Sequence, residues 1–163
     1  MFNKFCLIFT LILFSYSNFV YSNPKNAIGE DQKTVNILNN YFSRQIIVGK
    51  ANFQFLFWNM YDAKLISESG SYPSDKFALI LKYNKDFSKK SVVDETINQL
   101  KKQKTFNEKE LKEVNALLNK AFREIKKNNK FIGIKNNDEA IFYFQSEKVL
   151  ETDNSEFIKF FFD

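Results

Sequence analysis

Histidine is absent from this 163-residue chain, and cysteine occurs once, at Cys6. Without imidazole there is no Ser-His-Asp triad, no Cys-His dyad, no histidine zinc ligand and no histidine pH switch. Glycine is scarce too. Gly29, Gly49, Gly70 and Gly133 stand far apart, so the chain carries neither a phosphate-cradling glycine loop nor a G-x-G-x-x-G fingerprint, and no G-x-S-x-G elbow occurs. Phosphoryl transfer and dinucleotide chemistry are therefore not expected. Arg44 and Arg123 are the two arginines, whereas recognition of bases and phosphates favours the guanidinium fork, so no nucleic-acid partner is expected.

A long apolar run occurs at the N-terminus. Lys4 precedes a nearly unbroken apolar stretch from Phe5 to Phe14, and Val20-Tyr21-Ser22 offers small or branched residues before Asn23-Pro24. This charged, apolar, small-residue order is that of a secretory signal peptide spanning residues 1–22. The alternative is an uncleaved anchor, but the apolar core is about ten residues where a bilayer needs about twenty. Cleavage after Ser22 removes Cys6, so the mature chain has no thiol and no disulfide. It also removes Lys4, lowering the formal net charge of +5 by one. The expected location is periplasmic or secreted.

Residues 23–44 read as a leader or irregular N-terminal segment. Asn23 to Lys33 is polar, and Val35, Leu38, Tyr41 and Phe42 fit either a short helix or an irregular edge strand. Residues 45–163 read as one domain. From Ile46 the period is two, with Ala51, Phe53, Phe55, Phe57, Tyr61, Ala63 and Leu65 on one side and a bulge or bend at Gly49. Phe77 to Tyr83 alternates as a further strand. Val92, Val93, Ile97 and Leu100 stripe one helix, capped by Ser88 or Ser91. Asn107 and Glu110 make a capping box for a second, striped by Leu111, Val114, Leu118, Ala121, Phe122 and Ile125. Phe131–Lys135 and Ala140–Gln145 form a hairpin, Lys148 to Glu151 follows, and Asp153 or Asn154 caps a last helix. The order implies an α+β fold: a mostly antiparallel sheet with a layer of helices on one face.

Chemistry must come from Asp, Glu, Lys, Tyr, Arg, Ser and Thr. The neighbouring acids Asp94-Glu95 and Asp138-Glu139 read as solvated surface. The basic runs at Lys101-Lys102 and Lys126-Lys127 read as helix ends, with peripheral contact to an anionic membrane surface as the alternative. Aromatic residues reach 17%, including 20 Phe. That excess is either core packing or a sheet–helix interface wide enough to hold an apolar ligand.

The run Val48-Gly49-Lys50-Ala51-Asn52-Phe53 through Tyr61-Asp62-Ala63-Lys64-Leu65 resembles the opening of bacterial chalcone isomerase-like domains. The similarity continues at Phe77–Asp86, Phe131-Ile132-Gly133, Ile141-Phe142-Tyr143 and Glu156–Phe161, covering about residues 45–163. The resemblance implies a curved antiparallel sheet carrying a layer of helices. It also implies a cleft where the plant isomerases place Arg, Thr and Tyr. Here the Arg position falls near Gly49 or Lys50, the Thr position on Tyr61 and the Tyr position near Phe87, so no catalytic residue matches. The superfamily's fatty-acid-binding members use a basic residue and a tyrosine at the carboxylate. By that resemblance, Lys50 and Tyr61 are candidate ligand-binding residues, with Phe87 at the same cleft. The expectation is a non-catalytic protein that binds a fatty acid or another apolar small molecule, without cofactor or metal. The alternatives are a divergent isomerase or lyase and an envelope interaction module without ligand. Family members run on past the aromatic stretch at Phe160-Phe161, which implies a more open cleft here.

Overall fold

A computed structural model describes residues 28–55, 57–103 and 105–162. The export segment 1–22 lies outside the described residues. In chain order the elements are α1 (Gln32–Asn39), β1 (Ile46–Phe55), β2 (Trp58–Ser67), β3 (Lys76–Tyr83), α2 (Lys89–Gln103), α3 (Glu108–Ala121), β4 (Lys130–Asn136), β5 (Glu139–Phe144), β6 (Glu147–Thr152) and α4 (Ser155–Phe162). The six strands pair in sequence order and each pair is antiparallel. The fold is α+β, as the strand–helix order implied.

Alternation sorts the sheet into two faces. Phe77, Leu81, Phe131 and Phe142 point to the side covered by α2, α3 and α4. Ala78, Ile80, Ile132 and Ile141 point to the other. The expected caps are present. The Asn107 side chain accepts from the Glu110 N–H at 2.9 Å and Glu110 returns the bond to the Asn107 N–H at 2.9 Å. Ser88 Oγ accepts from the Ser91 N–H at 3.1 Å and Asn154 Oδ1 from the Phe157 N–H at 2.8 Å. Each supplies an acceptor to a helix start that lacks one. The β1–β2 register slips between Ile47 and Gly49, which places the bulge where Gly49 marked it.

Three features depart from the sequence reading. First, the described part of the 23–44 segment takes the short-helix option and packs into the fold instead of forming a loose leader. Asp31 caps α1, and Ile28, Ile37, Leu38 and Phe42 are buried on the second sheet face. A covering helix thus lies there as well as on the expected face. The charges that made this segment look like a loop are its fastening. Lys64 Nζ donates to Glu30 and to the Ile28 carbonyl at 2.5 Å, while Lys130 Nζ donates to Glu30 at 2.5 Å, to Asp31, and to Thr34 Oγ1 at 3.1 Å. Burial opposes ionisation of Glu30, but the bonds and charges of Lys130 and Lys64 outweigh it and hold the carboxyl below its ordinary range. The bond from Lys130 does the same for Asp31.

Second, the alternating run from Ile46 to Leu65 is two strands. The chain reverses between Phe55 and Trp58, which pair with each other, and Phe57 and Trp58 stand 96% and 62% exposed at the tip. Third, α3 stops at Ala121 rather than continuing to Ile125. Phe122 turns extended so that its ring stacks on Phe131 at 4.9 Å, and Ile125 forms a bridge with Phe87. The run Lys126-Lys127 consequently lies in a turn, not at a helix end.

Candidate functional site

A cavity of about 50 Å³ lies between the sheet and the helices. Its floor is apolar and comes from the middle of β3 and β4, where Leu79 pairs with Gly133 and Leu81 with Phe131. Gly133 is there for a spatial reason: an added Cβ would sit 3.3 Å from the Phe142 ring, which lies against the bare backbone. Phe160 and Phe161 of α4 and Phe122 close two sides. Aromatic rings meet edge-on around this space, as with Phe142 and Phe161 at 4.9 Å and 84°.

The remaining wall is α2, and its chemistry differs from the floor. Val92, Glu95, Thr96, Gln99 and Leu100 face the cavity, the spacing of one helical stripe. The middle of that stripe is polar. Gln99 Nε2 donates to Glu95 Oε1 at 2.8 Å, and the Thr96 hydroxyl donates to the Val92 carbonyl at 2.8 Å. Glu95 is the sole charged residue in the described lining.

Of the residues singled out in the sequence, Tyr61 reaches this cavity. Its buried ring stacks on Phe53 at 5.0 Å and meets Tyr83 edge-on at 6.1 Å. Burial pushes the Tyr83 hydroxyl well above the ordinary tyrosine range, so it stays protonated. Phe87 packs on Tyr83 at 5.7 Å, next to the cavity but outside its described lining. Lys50 does not join them. It pairs with Lys64, and Lys64 is three residues from Tyr61 on an unbroken stretch of β2. Lys50 and Tyr61 therefore project from opposite faces of the sheet, and one carboxylate cannot be held by both. Parity alone separates them: residue 50 is even and the cavity-facing residues of that run are odd.

Asp62 of the Tyr-Asp-Ala run also points away from the cavity. It accepts from Asn52 at 2.5 Å, Asn59 at 2.9 Å and Asn84 at 3.1 Å, and the Asn59 bond leads in holding its carboxyl below the ordinary range. This latch ties the β1–β2 hairpin to the end of β3. Glu95, Thr96 and Gln99 are the site residues missed in the sequence, where Glu95 read as solvated surface. The signal was present: polar residues sit at the centre of a stripe that begins with Val92 and ends with Leu100.

No protein-family model matches the chain, and no curated protein matches it. Among solved structures, the crystal structure of a fatty-acid binding protein of Arabidopsis thaliana is similar, with a TM-score of 0.53 and 12% sequence identity, over 73% of this chain and 78% of that one. At that identity the likeness concerns the backbone. The open six-stranded antiparallel sheet with its helices has the chalcone isomerase-like fold.

Proposed function

We propose that this is an exported, non-catalytic protein that holds an apolar small molecule between its sheet and the helices α2–α4. The observation that carries the reading is the cavity over the Leu79–Gly133 and Leu81–Phe131 pairs, apolar over nearly all of its surface, with Glu95, Thr96 and Gln99 supplying the few polar groups on the α2 side. Apolar walls with a few convergent polar groups are the usual make-up of a ligand site. The fatty-acid-binding neighbour supports the same use of the fold. A cavity of about 50 Å³ is far below the ~300–1,000 Å³ typical of ligand pockets, so uptake requires α2 to move outward from the sheet.

Purified protein tested with a neutral fluorescent apolar probe, N-phenyl-1-naphthylamine, checks this. Saturable micromolar binding that is lost in Thr96→Trp, whose side chain fills the cavity, is the expected result. Binding unchanged by that substitution would remove the cavity from consideration. Export is tested by N-terminal sequencing of the protein recovered from the periplasm or medium, which should begin at Asn23.

A second observation favours peripheral contact with an anionic membrane. Phe57 and Trp58 are exposed at the hairpin tip, and Lys85 Nζ lies 4.8 Å from the Trp58 ring centre. Aromatic and basic groups together suit the interfacial region of an anionic bilayer. Co-sedimentation with phosphatidylserine vesicles, reduced by Trp58→Ser and by added salt, is the expected behaviour.

A further inference from the structure

We infer that the ligand of this cavity carries a hydrogen-bond-donating head, an alcohol or a protonated amine, and that a carboxylate head is selected against; the inference rests on the apolar-binding reading above. The lining has one charged group, and it is negative. Glu95 sits half-buried on α2, with one carboxylate oxygen already bonded to Gln99 at 2.8 Å. Thr96 has spent its proton on the Val92 carbonyl, so toward the cavity its hydroxyl can offer an acceptor. Two adjacent side chains on one helical face thus present acceptors to the same space. No lysine or arginine belongs to the described lining, and Lys50 projects from the other side of the sheet. A ligand carboxylate would therefore meet Glu95 without a cation to compensate it, in surroundings drier than bulk water. An ammonium would pair with Glu95, and a hydroxyl would donate to Glu95 or Thr96 while its chain covers Leu79 and Leu81. These acceptors lie between Val92 and Leu100 on the α2 stripe, where a head group entering the cavity would meet them.

Three competitors of equal chain length separate the possibilities: dodecylamine, dodecanol and dodecanoate, each displacing N-phenyl-1-naphthylamine at pH 7. Amine and alcohol should displace the probe at concentrations at least about tenfold lower than dodecanoate, the scale of one uncompensated charge. Glu95→Gln should narrow the gap between amine and dodecanoate to about threefold or less. Thr96→Val keeps the side-chain volume and should weaken dodecanol more than dodecylamine. An unchanged circular dichroism spectrum and an unchanged cooperative urea transition in both variants show that the fold is intact. Dodecanoate as the best competitor, or a preference indifferent to Glu95→Gln, overturns this inference and leaves the apolar-binding reading standing. Failure of the probe and all three competitors to bind overturns both.

Discussion

The two faces of one sheet are built on different plans. The face under α1 is mainly aliphatic: Ile66, Ile80, Ile132, Ile134 and Ile141 interleave with Ile37 and Leu38, and Lys64 and Lys130 clamp its edge to Glu30 and Asp31. The face under α2–α4 is dominated by rings, among them Phe77, Phe131, Phe142, Phe157 and Phe161, and it contains the cavity. The lesson is a division of labour. The α1 face contributes rigidity and the ring-rich face contributes space.

The sharpest way to break that comparison is truncation on each face. Ile134→Ala, in the filled face, should cost about 4 kcal/mol, whereas Leu79→Ala, at the edge of existing space, should cost about 2 kcal/mol. Urea unfolding at pH 7 measures both, and equal losses would show that the two faces are packed alike.

The clamp comes next. Glu30→Gln leaves Lys64 and Lys130 facing each other in a mostly buried setting and should cost about 3 kcal/mol. The same cluster predicts an acid response. The Glu30 and Asp31 carboxyls lie below their ordinary values of 4.5 and 3.8 in the fold. Their contribution is therefore complete above about pH 4.5 and is lost as pH falls through and below that range. Lys130, shifted upward despite its burial by Asp31 and Glu30, stays charged throughout. Hydrogen exchange should show α1 losing protection at pH 3 before β3 and β4 do. Simultaneous loss would mean that the clamp does not govern the α1 face separately.

A smaller effect is expected where the space itself is filled. Thr96→Phe should raise stability by about 1 kcal/mol while abolishing probe binding. The smallest belongs to the hairpin tip, which serves neither face. Phe57→Ser and Trp58→Ser should change unfolding free energy by less than about 0.5 kcal/mol, yet Trp58→Ser should reduce vesicle binding.

Much of the fold was legible because several local signals agreed. Phe77 to Tyr83 alternates without interruption, and the Asn107–Glu110 box marks where α3 begins. The ordered motifs from Val48 to Phe161 implied the sheet-and-helix architecture that the chain adopts. What was not legible depends on distant partners. Glu30 and Asp31 look like loop residues until Lys64 and Lys130 meet them from strands far along the chain. The reversal between Phe55 and Trp58 was not announced, since the sequence there, Leu56-Phe57, has neither glycine nor asparagine. In the site, Tyr61 was named by the family resemblance, and its strand parity agrees with its place in the lining. Pairing it with Lys50 ignored that same parity, and Glu95 was set aside on the general habit of acids to face water.

The sequential strand order has a consequence for assembly. Three of the five pairings join neighbours through tight turns and β2–β3 through the loop 68–75, but β3 meets β4 only after residues 84–129 have intervened. The sheet should therefore form as two three-stranded meanders that dock along one seam, with the docking step slower because of its larger loop-closure cost. Leu79–Gly133 and Leu81–Phe131 straddle that seam. Substitutions there should accelerate unfolding more than they retard refolding in stopped-flow kinetics. The hollow would then mark the suture between two separately nucleated halves, left at the junction where the final zipping of the backbone takes place.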